Sequence, residues 1–471
     1  MSRLIVISNR VRRPGSGAAQ GGLAVALSSA LRESRGIWVG WSGESTDRFT
    51  GQIAFADDEG VKTATIDLEE QDIDEYYNGY ANRTLWPLFH FRIDLAEYDR
   101  TFEGGYNRVN ERFADTASPL IDKDDVVWIH DYHLIPLGQM LRHRGLKNRM
   151  GFFLHIPWPP TRLLVSLPHH RQLVETLFAY DVVGFQTEEW LESFRHYVEK
   201  EMGGTIEGDN CTVGDRTIKA VACPIGIDFT EFCAAGKNES ATLMQRQMRA
   251  SLQDRNLIVG VDRLDYSKGL EERFAGYERF LKDNPSYHRQ VVFVQIAPPS
   301  REDVENYREI RAKLDSLTGR INGEFSDVDW TPIRYVNQGY ARDRLWGIYR
   351  AARIGLVTPL RDGMNLVAKE YVTAQDPEDP GVLILSRFAG AALQLPEALL
   401  INPYSSEEVS EAILRALQMP LDERKSRWAA MIDNIGREDV AWWRERFVAL
   451  LAPPQAPSRP IEQQPRLMTA K

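Results

Sequence analysis

The stretch PLRDGMNLVAKEYVTAQ, Pro359–Gln375, decides the fold. An apolar run, Ile354–Thr358, precedes it and reads as a buried strand; Asp362 and Gly363 make a turn, and Asn365 is placed to cap a helix through Val367, Lys369, Glu370 and Tyr371. A helix opening there aims N–H groups and the positive end of its dipole at whatever occupies the cleft, which makes a phosphate seat. A second segment, VGVDRLDYSKGL at Val259–Leu270, leaves a strand and presents Arg263 and Lys268 around a turn at Gly269. An arginine fork and a lysine point charge on one loop suit a diphosphate. Two such cations alone would read as solvated surface charge; the elbow at Asp362 gives them a role.

Working outward, short apolar strands alternate with amphipathic helical stretches in both halves, the pattern of parallel sheets covered by helices. Strands are expected at Leu4–Ser8, Val126–His130, Gly151–His155 and Val182–Gln186, then at Leu257–Val261, Val291–Ile296, Ile354–Thr358 and Val382–Ser386. The segment Cys223–Lys237 suits a hinge. The expected fold is α/β, with two Rossmann-like domains facing each other across a cleft: residues 1–228 and 229–438, a crossover helix at 439–452 and a disordered tail at 453–471. In such sheets ligands sit beyond the carboxyl ends of the strands. Those exits carry Ser8–Arg10, His130–Tyr132, His155–Pro157, Arg263–Lys268, Ala297–Arg301 and Arg361–Asn365, polar or charged nearly throughout.

With 471 residues and 43% hydrophobic content, the chain is long enough for two cores. A net charge of −10 and a pI of about 5.6 speak against nucleic acid as the main partner. Cys211, Cys223 and Cys233 lack the spacing of a zinc site or a disulfide framework. No signal peptide or membrane span is read, so a soluble, cytoplasmic protein is expected. Gly21 and Gly22 open the helix LAVALSSALRES as a phosphate-approach loop, but without the GxGxxG fingerprint of a nicotinamide enzyme. His130 and His133 lack a third ligand nearby and read as core or loop histidines. Asp131, a carboxylate at a strand exit, is the better candidate for chemistry. Tyr77 and Trp86 offer flat faces for a sugar.

Taken in order, SNR at Ser8–Arg10, GGLAVAL, GIWVGWSGE, DEYYN, LWPLFH, WIHDYHL, GFFLHIP, GFQT, PIGID, VDRLDYSKGL, QIAPPSR, GRINGEF, TPLRDGMNLVAKEYV and NPY resemble the trehalose 6-phosphate synthase family, up to about Leu451. These are retaining glycosyltransferases of the two-domain GT-B architecture, whose last helix crosses back onto the first domain. The resemblance implies transfer of glucose from UDP-glucose to glucose 6-phosphate, without a cofactor or metal. On the donor side it assigns Arg263 and Lys268 to the diphosphate, helped by Gly22 and the backbone of Met364, Asn365 and Leu366. Glu370 holds the ribose, Asp362 the glucose hydroxyls, and His155 lies beside the sugar's 6-hydroxyl. On the acceptor side it assigns Arg10, Tyr77, Trp86, Asp131 and Arg301. Asp131, His155, Arg263, Lys268 and Asp362 form the catalytic set.

Three positions depart from the family pattern: Trp158, Arg162 and Ala26. The first two are expected near the acceptor, which leaves glycerol 3-phosphate as an alternative acceptor. A non-catalytic sugar-phosphate sensor is a further alternative, disfavoured because Arg263, Lys268, Asp362 and Glu370 all remain. The DID at Asp72–Asp74 is not expected to follow a strand as a phosphatase nucleophile would, so a separate trehalose-phosphate phosphatase is the expected downstream partner. A homo-oligomer is expected. The helix DVAWWRERFVALL should pack through Val440, Trp443, Phe447 and Leu451.

Overall fold

The computed structural model describes residues 3–11, 27, 31–32, 34–58, 60–301 and 304–452. Gly22, Ala26 and the tail from residue 453 lie outside them. Two sheets organise the described chain. The first runs, in spatial order, Ala54–Asp58, Val61–Glu69, Ile37–Thr46, Leu4–Arg10, Val126–His130, Met150–Phe153, Val182–Phe185, Arg216–Ala222, Asn210–Val213 and Thr205–Glu207. Its seven inner strands are parallel, with antiparallel additions at both edges. The second is parallel throughout: Ile333–Val336, Val291–Ile296, Asn256–Val261, Ile354–Val357, Val382–Ser386 and Leu399–Ile401. The central strands carry unbroken apolar runs because helices cover both faces; Leu4–Ile7 and Val291–Ile296 are buried at every residue.

Strand ends differ in one way that matters. Met150–Phe153 stops two residues short of His155, which leaves that residue off the sheet. The expected hinge is narrower than Cys223–Lys237, because Phe229–Ala235 is helical under an Asp228 cap. The strand Val61–Glu69 ends just before Asp72, contrary to the expectation that DID follows none. Asp72 is nevertheless no nucleophile: it is buried, and the Arg108 and Arg112 guanidiniums claim its carboxylate. That clamp anchors Ile73–Leu85, a π-helix that carries Tyr77 and leads straight into the short helix Trp86–Phe89.

The helix Val440–Leu451, capped by Asp439, lies on the first sheet. Phe447 stacks on Trp128 at 4.8 Å, and Trp443 meets Phe153 edge-on at 5.1 Å. Gly151 and Gly184 form the floor under it: a Cβ on Gly184 would stand 2.6 Å from Phe447, and one on Gly151 2.8 Å from the same ring. The linker meets the start of this helix, with the Val440 N–H donating to the Ile227 carbonyl at 3.0 Å. Phe447→Ala should therefore cost about 3–5 kcal/mol by emptying this contact. The expected outcome is a clear fall in the thermal unfolding midpoint; an unchanged midpoint would show that the crossover helix is not structural.

Candidate active site

The strand Ile354–Val357 delivers the elbow and the helix Leu366–Ala374. Asn365 caps the helix through its side-chain oxygen, which accepts the Ala368 N–H at 3.3 Å, and it does so at a φ of 79°. Gly363 is required by close approach, since a Cβ there would stand inside contact distance of the His155 carbonyl of the first domain. Lys268, on the turn Tyr266–Lys268, follows the neighbouring central strand Asn256–Val261. Its Nζ lies 2.5 Å from Asp362 Oδ2, and the Asn365 side-chain amide donates to the same oxygen at 3.1 Å. Burial alone would raise the Asp362 carboxyl; the Lys268 ammonium outweighs it and holds the group below its usual range. Arg263 is half exposed, so its fork is open to a ligand. Glu370 sits on the first helical turns, and burial pushes its carboxyl up to about 7 despite Arg342.

The first domain supplies the facing wall. Tyr77 stands edge-on to Trp41 at 5.5 Å and stacks on His133 at 6.0 Å, while the Arg10 guanidinium lies 5.4 Å from the Trp41 ring. Trp86 is the meeting point of the two domains: the Arg301 guanidinium rests 3.9 Å above its ring and that of Arg263 5.6 Å away. Arg301 also donates to the Tyr132 hydroxyl at 3.1 Å and to Tyr307. Asp131 adopts φ 74° and ψ 166°, a region almost reserved for glycine, and accepts the His155 N–H at 3.2 Å. Burial lifts its carboxyl to about 6. Strain of about 1–3 kcal/mol at a residue such as Asp131 persists where the surroundings impose it, typically in functional sites. Arg301 and Asn365 share a positive φ.

Arg263, Lys268, Arg301, Asp362, Asn365 and Glu370 gather beyond the carboxyl ends of the second sheet's strands, and Tyr77, Trp86 and Asp131 belong to the first domain that faces them at Trp86. His155 differs from expectation in detail: its ring nitrogens face Gln186 at 3.2 Å and His130 at 3.1 Å, and burial pushes it down to about 3, so it is neutral and turned into the protein. Trp158 is not an acceptor residue. It is buried edge-on against Phe89, Phe185 and Phe194, and Arg162 is exposed on the helix Thr161–Leu164. Two residues were missed. His90 is buried beside Trp86, its Nδ1 2.8 Å from the Trp86 carbonyl, and it senses the charges of Asp265, Lys268 and Asp362. Asp265 sits among the cations. Both lie inside quoted motifs, LWPLFH and VDRLDYSKGL, where neighbouring charges drew the attention.

Two facing parallel-sheet domains, with the second sheet's cationic elbow opposed to an arginine and aromatic wall, define a two-domain glycosyltransferase of the GT-B kind. The chain belongs to glycosyltransferase family 20, which its residues 12–453 match. A trehalose-6-phosphate synthase of Sinorhizobium fredii (strain NBRC 101917 / NGR234) is 48% identical over 453 residues, covering 95% of this chain and 98% of its own. One from Escherichia coli O1:K1 is 46% identical over 470 residues, covering 99% and 98%. Among solved structures, an α,α-trehalose-phosphate synthase (UDP-forming) from Burkholderia xenovorans in complex with glucose-6-phosphate has a TM-score of 0.90 at 48% identity, covering 96% of this chain and 100% of that one. A structure from E. coli bound with UDP-2-fluoro glucose has a TM-score of 0.92 at 45% identity, covering 96% and 99%.

The raised Glu370 carboxyl has a measurable sign. Between its ordinary value of 4.5 and about 7, the unfolded chain ionises this group while the folded site keeps it protonated, so stability falls as pH rises through that window. Glu370→Gln removes the slope. Its melting midpoint relative to the native chain should rise between about pH 5 and about pH 8; a constant difference would show that Glu370 titrates normally.

Proposed function

We propose that this chain transfers glucose from UDP-glucose to glucose 6-phosphate with retention at C1, giving α,α-trehalose 6-phosphate and UDP. The observation that carries it is a pair of cationic centres side by side beyond the carboxyl ends of adjacent strands of the second sheet, both facing Trp86 of the first domain: Arg263 and Lys268 beside the Asn365-capped helix, and Arg301 on the ring. The glucose-6-phosphate and UDP-2-fluoro glucose in the related structures supply the ligands for these centres. Trp158 lies in the first domain's core, so its departure from the family pattern gives no support to glycerol 3-phosphate as the acceptor.

Charge development sets the mechanism. As the bond from C1 to the diphosphate breaks, negative charge grows on the leaving oxygen, where Arg263, Lys268 and the helix start stabilise it. The same oxygen takes the proton of the acceptor's 1-hydroxyl as that oxygen bonds to C1 on the same face. No enzyme nucleophile is needed, and no metal has a step. Asp362 and Glu370 hold the donor's hydroxyls; Arg10, Tyr77, Trp86 and Arg301 hold the acceptor, with Asp131 at its sugar ring. Because the product is a phosphomonoester, a separate phosphatase must act on it before free trehalose is formed.

Turnover of UDP-glucose with glucose 6-phosphate, without added metal, should release UDP and a 1,1-linked disaccharide phosphate of α,α configuration, identified by mass and linkage. A different linkage or acceptor preference overturns the assignment. Arg263→Ala should lower kcat by about 100-fold or more, as expected for loss of a transition-state donor. Unchanged turnover would remove Arg263 from the chemistry.

A further inference from the structure

Asp265 belongs to neither substrate set, yet it touches both. Its carboxylate is completely buried, on the loop between the strand Asn256–Val261 and the turn that presents Lys268. One oxygen, Oδ1, caps that turn by accepting the Ser267 N–H at 2.9 Å, and the Asp265 carbonyl accepts the Lys268 N–H at 3.1 Å. The other, Oδ2, lies 3.6 Å from Arg301 Nη1 and 4.0 Å from Arg263 Nη2, and accepts the Tyr307 hydroxyl at 3.3 Å. Both guanidiniums also reach the ring of Trp86. Two like charges gathered over one ring repel each other unless an anion stands between them, and Asp265 is that anion.

The contact lengths are informative. A tight arginine–carboxylate pair closes to about 2.7–2.9 Å and consumes the fork. Here the carboxylate is shared at longer range, so it orients two guanidiniums without occupying their donors. Arg301 Nε is buried and has no hydrogen-bond partner among the described residues.

We propose that Asp265 is the positioning residue that couples the two substrate sites, holding the donor arginine Arg263 and the acceptor arginine Arg301 in fixed relation while its second oxygen fixes the turn under Lys268. The inference rests on the proposed function, which places a diphosphate at Arg263 and a phosphate at Arg301. When either anion arrives, the shared carboxylate must redistribute its hold on the other arginine, and the resulting free-energy coupling is reciprocal. Asp265 touches no substrate; it acts through the residues that do.

Asp265→Asn tests this, because the amide keeps an oxygen for the Ser267 cap while an uncharged NH2 donor replaces the oxygen that faces Tyr307 and the two arginines. Expected for the variant are a kcat lower by about tenfold and KM values for UDP-glucose and glucose 6-phosphate that both rise about fivefold. Calorimetric titration supplies the readout that a merely structural role would not move: glucose 6-phosphate is titrated with and without saturating UDP. The ratio of the two affinities should differ from one in the native chain and approach one in the variant. A native ratio of one, or a ratio and KM values unchanged in a folded variant, overturns the inference. Should Asp265→Asn fail to fold, Tyr307→Phe decides by the same criteria, since it keeps the carboxylate and removes the hydroxyl that steadies it. A native chain that releases no UDP with glucose 6-phosphate would instead overturn the proposed function, so the two failures are distinct.

Discussion

The contact of Arg301 with the face of Trp86 is the interaction on which the rest of the site depends, because it is where a side chain of one sheet's domain lies flat on one from the other. Its strength is modest: a cation over an aromatic ring is worth about 0.5–2 kcal/mol. The crossover helix is another matter. Trp443, Phe447 and Leu451 are fully buried against the first sheet, each worth about 1.5–3 kcal/mol in area removed from water. The two halves also meet where the Arg361 guanidinium lies 4.8 Å from the Phe91 ring, where that of Arg92 lies 5.7 Å from the Tyr266 ring, and where the Trp190 Nε1–H donates to the Gly363 carbonyl at 3.4 Å.

The second domain is also tied to the start of the crossover helix. Lys369, one residue before Glu370, is buried, and its Nζ donates to the Ile225 carbonyl of the linker at 2.8 Å and to Gln394 at 2.6 Å. Gln394 in turn donates to Glu438, just ahead of the crossover helix. The helix Leu366–Ala374 is therefore tied at its second turn to the segment that joins the two domains. Burial lowers the Lys369 ammonium to about 7, so this tie is held by hydrogen bonds to fixed acceptors more than by charge. Among the described residues no carboxylate bonds to it directly.

Much of this was legible in the chain, for identifiable reasons. Strands buried on both faces, such as Val126–His130 and Val382–Ser386, are unbroken apolar runs and were readable to the residue. The Asn365 cap was readable because a helix start needs a short polar side chain. Ile37–Thr46, Val61–Glu69 and the hairpin strands Thr205–Ala222 were not assigned: they lie toward the sheet's edges, where polar residues interrupt the run and periodicity weakens. Trp158 was misplaced because its nearness in sequence to the HIP motif says nothing about which way a side chain turns; it points into Phe185 and Phe194. Asp265 escaped because its importance lies in distances to Arg263 and Arg301, residues far apart in the chain that only the fold brings together.

The floor of Gly151 and Gly184 beneath Phe447 carries a consequence for biosynthesis. The sheet that contains them is complete in sequence by Ala222, but the helix that roofs it begins at Val440, more than two hundred residues later. At about 5–20 residues per second, a ribosome needs roughly 10–45 s to supply it. For that interval the nascent first sheet presents an aromatic-walled, glycine-floored groove to its surroundings, and the half of the protein made first is the half finished last.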